Sequence, residues 1–218
     1  MDLHAPGDMM STTLYLLRHA ATAANLAKPP KLLGRYFDPP LARLGVRQAE
    51  ATRDFLAIRS IDMCFCSPLR RAVQTASILA APHGLTPIPL DALTECDLGS
   101  WEGKSWPEIR VQEPQAYRAY MSDPAQYGYP GGENFLQVQN RIDGLFEDLW
   151  RQHEGKNMLV VSHHVVNRVY LAGVLGLAAG QARQVSLDNC GISVVTRDAG
   201  KNSVAMLNAA FHLQGVAA

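Results

Sequence analysis

Two segments of this chain end an apolar run on residues that could do chemistry. Leu14-Tyr15-Leu16-Leu17 stops at Arg18-His19, and a small-residue turn holding Thr22 and Asn25 follows. Met158 to Ser162 stops at His163-His164 in the same manner. A short apolar run bounded by small polar residues reads as a buried parallel strand. Ligands of open α/β sheets bind beyond the carboxyl ends of the strands, where both clusters fall. Arg offers a permanent charge on a planar fork that suits phosphate, and His is a base or nucleophile near neutral pH. From the first segment alone, a strand that simply ends in two solvated polar residues is an equal reading.

Two more segments shift that balance. Cys64 to Ala76 reads as a strand running into a helix opened by Ser67 and Pro68, since a Ser cap followed by Pro marks a helix start. Thr94 to Gly103 is a turn-rich acidic loop with Glu95, Asp97 and Glu102. The ordered set resembles the histidine phosphatase superfamily, also called the phosphoglycerate mutase-like family. That family carries an Arg-His motif, a Ser-Pro-Leu-x-Arg-Ala-x-Gln-Thr-Ala motif, a Glu four residues before a Gly, and a late Ser-His motif. All four occur here in the family's order, spanning about residues 13 to 196.

The resemblance implies roles. His19 matches the nucleophile that attacks phosphorus and becomes phosphohistidine. Arg18, Arg71 and His163 match the groups around it; Arg70 occupies the motif's variable position. Two guanidinium forks and an imidazolium would neutralise the oxygens over which charge spreads during transfer. Asn25 matches a residue that hydrogen-bonds the phosphoryl group, and Thr22 a phosphate-loop hydroxyl. Glu95, four residues before Gly99, falls where the family has its general acid, which protonates the leaving alkoxide and then takes a proton from water. Asp97 is its competitor, and Glu102 reads as structural or peripheral.

The chain also departs from the pattern. Ala21 stands where Glu is common, and His164-Val165 where Gly-Gly usually follows the histidine. His164 could contact the leaving group, point away, or join His163 on a metal; no ligand spacing accompanies the last option. Cofactor-dependent mutases carry an Arg-Arg pair after the Glu motif. None occurs between 100 and 140, where Arg118 stands without an adjacent Arg, and few residues follow Phe211 to shield an intermediate from water. The expectation is therefore a metal-independent phosphomonoesterase acting on a small phosphorylated metabolite, with no cofactor. Mutase-type phosphotransfer and a non-catalytic phosphoryl-binding module are the alternatives.

Composition agrees. Twenty basic and twenty acidic residues balance over 218, so no nucleic-acid footprint appears. No apolar run is long enough to span a membrane, and residues 1–11 lack a signal-peptide pattern. Cytoplasm is the default, a small phosphate ester the expected partner, and a homodimer is compatible. Residues 1–11 are expected to be a loose tail, with Met10 an equal candidate start, and 12–218 a single domain. The four cysteines read as structural, with Cys96 the accessible one.

The elements that must position these residues follow from periodicity. Strands are expected near 13–17, 61–66, 87–90, 158–162, 191–196 and 203–207. A helix over 41–58 should bury Leu44, Phe55, Leu56 and Ile58. The three- and four-residue spacing of Phe135, Val138, Ile142, Leu145, Phe146 and Leu149 predicts another over 132–152, which Gly131-Gly132-Glu133 would start and cap. Alternation of strands and helices implies a mainly parallel sheet covered on both faces, and the family fold is a three-layer α/β/α sandwich. Two segments look like a substrate-facing cap. Residues 26–40 hold Lys28, Lys31 and Arg35 among prolines; these cations could take a second phosphate or a carboxylate, or be solvated. Residues 101–130 hold Tyr117, Tyr120, Tyr127 and Tyr129, as pocket wall, dimer face or packing.

Overall fold

The computed structural model describes residues 11–216, so the expected N-terminal tail falls almost wholly outside the described residues. The elements are β1 (Thr12–Arg18), α1 (Ala23–Leu26), α2 (Arg43–Leu56), β2 (Met63–Cys66), α3 (Arg70–Ala80), β3 (Ile88–Pro89), α4 (Trp106–Gln112), α5 (Pro114–Ser122), α6 (Phe135–Gln152), β4 (Asn157–Ser162), α7 (His164–Val174), β5 (Ile192–Asp198) and β6 (Lys201–Ala209). One six-stranded sheet runs β3-β2-β4-β1-β5-β6. The first four strands in that order are mutually parallel, and β5 and β6 extend the sheet antiparallel.

Strand alternation builds the layers. Along β1 and β4, Leu14, Leu16, Met158 and Val160 face a core with α6 and α7. Leu17, Leu159 and Val161 face the other side, against α2 and α3. Side chains alternate with period two, so consecutive apolar residues serve both cores at once. The parallel register sets Arg18 beside Ser162, which brings the ends of β1 and β4 level. His19 and His163, one residue further on, therefore emerge side by side. The sandwich expected from the sequence is the observed fold.

Four local expectations need correction. Ile58 lies past the end of α2, 84% exposed, because the helix stops at Leu56 and the chain turns outward. Ser67 and Pro68 precede α3 without opening it: Leu69 is its N-cap, and Ser67 Oγ accepts from Leu69 N. The long helix starts later than expected, at Phe135, capped by Asn134 in a reciprocal bond with Gln137. Glu133 is instead a tether, accepting from Asp97 N and pairing with Arg141 and Arg35. Cys96 is buried, with its thiol pushed up by that burial, so it is not accessible. Cys64, Cys66 and Cys190 are buried as expected.

Candidate active site

A cavity of about 400 Å³ opens at the carboxyl ends of β1 and β4. Arg18, His19, Asn25, Glu95 and His164 line it. The segments 26–40 and 101–130 supply its outer wall through Lys31, Leu33, Trp106, Tyr120 and Tyr129.

His19 is 2% exposed, and its Nδ1 lies 2.8 Å from the Ala20 carbonyl. A carbonyl only accepts, so Nδ1 carries the proton and Nε2 keeps its lone pair. Burial first, then the cations of Arg71 and Arg18, hold the imidazole well below its ordinary value of 6.5. The ring is neutral at pH 7. Asn189 Nδ2 donates to the His19 carbonyl at 2.8 Å and fixes the backbone at this turn.

His163 is fully buried with its ring centroid 5.2 Å from that of His19. Neither of its nitrogens has a hydrogen-bond partner among the described residues. Burial, Arg71 and His19 push it well below 6.5 too, so the imidazolium expected from the sequence is a neutral ring in the ligand-free protein.

Arg18 is half-buried, donates to the Leu187 carbonyl at 2.9 Å, and is drawn down by burial to about 10. Its Nε has no partner among the described residues. Arg71 is completely buried and does not line the cavity. Its end nitrogens reach the carbonyls of Gly34 (2.8 Å) and Phe37 (3.3 Å) and the Asp38 carboxylate (2.9 Å). It thus ties the 26–40 loop to α3 and projects its charge onto both histidines.

Glu95 is 2% exposed at the N-terminus of α7. Its oxygens accept from the N–H groups of Cys96 (2.9 Å), His164 (2.9 Å), Val165 (3.2 Å) and Val166 (3.4 Å). These first-turn donors have no intrahelical acceptor, and the carboxylate supplies it. Asp97 turns away and accepts from Gly99 N. Glu102 is structural, its Oε1 gathering the N–H groups of Gly34 (3.1 Å), Tyr36 (2.8 Å) and Phe37 (2.5 Å).

Two expected site residues do other work. Thr22 is buried beneath Asn25, and its hydroxyl donates to Asn25 Oδ1 at 3.0 Å. It orients Asn25, whose Nδ2 is left for a ligand. Arg35 is not brought to the cavity; it pairs with Glu133 at 3.3 Å. The tyrosines divide. Tyr120 and Tyr129 share a hydroxyl–hydroxyl bond of 2.8 Å in the cavity wall, Tyr117 packs on the core, and Tyr127 is exposed. Sequence reasoning missed Asn189 and Arg168, both in the cavity lining. Arg168 follows His164 by four residues on α7, a same-face spacing that was available as a signal. Among the described residues, no group of three or more His, Cys, Asp or Glu is placed to hold a metal ion, and no helix is long and apolar enough to cross a membrane.

The sequence model of the histidine phosphatase superfamily (branch 1) matches residues 14–210. The chain belongs to that superfamily. This histidine phosphatase is 30% identical over 203 residues to phosphoserine phosphatase 1 of Hydrogenobacter thermophilus, covering 92% of this chain and 93% of the relative. It superposes on Bacillus stearothermophilus YhfR with a TM-score of 0.85 at 28% identity, covering 93% and 99% of the two chains. It superposes on the Entamoeba histolytica phosphoserine phosphatase complex with 3-phosphoglyceric acid at 0.82 and 26%, again covering 93% and 99%. The class of chemistry is accordingly that of a phosphoric monoester hydrolase.

Proposed function

We propose that this histidine phosphatase hydrolyses small phosphorylated metabolites through a phosphohistidine on His19. The observation that carries the reading is the His19 ring: buried, neutral, proton fixed on Nδ1 by the Ala20 carbonyl, and lining a cavity with Arg18 and Asn25. Nε2 attacks phosphorus as the P–O bond to the alcohol breaks. Arg18 and Asn25 hold non-bridging oxygens, and His163 and Arg71 meet the charge from behind. Preorganised donors of this kind are worth about 100- to 1000-fold each. Glu95 is the one acidic side chain among the described residues lining the cavity; in its acid form it gives its proton to the leaving alkoxide and becomes a carboxylate. It then takes a proton from the water that attacks phosphohistidine, releasing phosphate and free His19.

The test is hydrolysis of p-nitrophenyl phosphate in excess EDTA, wild type beside His19→Ala. Activity that survives the chelator and vanishes in the variant, with acid-labile label trapped on His19, is the expected result. Activity that persists in His19→Ala would sink the reading. Label passed to phosphoglycerate faster than to water would make the enzyme a mutase.

A further inference from the structure

His164 and Arg168 sit one turn apart on α7, and both line the cavity that holds His19. His164 occupies a position where the family motif has Gly, so a side chain enters here that the motif does not require. Arg168 is anchored: its Nε donates to the Val185 carbonyl at 2.6 Å. Its two end nitrogens have no hydrogen bond and make no ion pair among the described residues; the Glu95 carboxylate, in the same cavity, acts on its charge only from a distance. Lys31, another cation of this wall, is already neutralised by Glu108 at 2.7 Å. Burial pulls the Arg168 guanidinium down by more than Glu95 restores.

A positioned fork with free end nitrogens and no ion pair of its own suits a planar monoanion that takes two parallel N–H bonds. A second dianionic phosphate would ask for more cation than this wall holds. The cavity volume limits any occupant to a small molecule, so an anion on α7 and a phosphoryl group on His19 belong to one ligand. We propose that Arg168, with His164 as the wall beside it, forms a specificity site for a carboxylate on the alcohol part of the substrate. The enzyme then selects small phosphomonoesters bearing a carboxylate, which passes through hydrolysis unchanged into the alcohol product. This rests on the phosphatase reading above and names its substrate class.

Matched esters that differ by the carboxylate test it: phosphoserine against phosphoethanolamine, and 3-phosphoglycerate against glycerol 3-phosphate. Charge-assisted hydrogen bonds predict a wild-type kcat/KM ratio of about 10- to 100-fold in favour of each acid. Arg168→Gln should collapse both ratios, mainly through KM, and Arg168→Lys should restore part of them. Should Arg168→Gln fail to fold, the wild-type ratios and Arg168→Lys decide. Ratios near one in the wild type, or ratios indifferent to Arg168, overturn the proposal while leaving the phosphatase intact. A larger preference for fructose 1,6-bisphosphate over fructose 6-phosphate overturns the carboxylate in favour of a second phosphate. Silence toward every ester refutes the phosphatase reading and this one with it.

Discussion

Acid should unfold the ligand-free protein at a pH set by its site histidines. His19, His163 and His164 are all held well below 6.5, with burial the first cause in each. An unfolded chain binds a proton on each as pH falls through 6.5, while the folded chain does not. The unfolded state then holds more protons, so stability falls with pH from about 6.5 down to the depressed folded values. Between pH 7.5 and 5.5 this is at most about 1.4 kcal/mol per histidine, or about 4 kcal/mol for three. That is a large share of a stability of about 5–15 kcal/mol. With an m-value of about 2 kcal/mol per M, the urea midpoint should drop by up to about 2 M. Carboxylates do not confuse the window, because their ordinary values lie below it. Tryptophan fluorescence of buried Trp101 and Trp150 reports the transition. His163→Asn should remove about a third of the slope, and saturating vanadate should flatten it by supplying the missing negative charge. A midpoint moving less than about 0.5 M between those pH values, or a slope unchanged in His163→Asn, would refute the reasoning.

Other changes have definite expected outcomes. Glu102→Ala removes the acceptor shared by the three loop amides and should raise KM about 10-fold with a smaller change in kcat, read from steady-state kinetics. Asp38→Asn leaves the guanidinium of Arg71 buried without its carboxylate and should cost about 3–5 kcal/mol in denaturant melts. Gly45→Ala would drive a Cβ to 1.9 Å from the Ala21 carbonyl, beside the His19 turn; about 1–3 kcal/mol or more and most activity should be lost. All four cysteines are buried, so iodoacetamide at pH 7.5 should label none until urea unfolds the chain, as mass spectrometry would show.

The sequence shows most plainly those features that are local. The strand ends at Arg18-His19 and Ser162-His163 are legible because a period-two apolar run followed by polar residues says both where the strand stops and where its last side chains emerge. Ile58 went wrong because periodicity continues past Leu56 while the helix does not. Thr22 looked like a ligand because a hydroxyl in a phosphate loop and a hydroxyl capping a short helix have the same local sequence. Asn189 and Asp38 carry no local pattern at all. Their roles exist only because the sheet brings the loop after α7 to the His19 carbonyl, and α3 to the 26–40 loop. The protonation of His163 in the ligand-free protein is beyond the sequence for a similar reason. It depends on how many cations surround it in space, which spacing along the chain does not reveal.

The register of β1 has a consequence for how the protein comes into being. Its strand neighbours, β4 and β5, both lie far toward the other end of the chain. A ribosome therefore delivers the nucleophile early and its surroundings late. Until β4 has emerged, β1 is an apolar strand with two unpaired edges, and one edge stays open until the segment through Asp198 follows; pairing either requires closing a very long loop. Synthesis of this enzyme should thus pass through a long-lived unfinished stage that is catalytically silent and prone to aggregate, with activity arriving only once β5 has emerged.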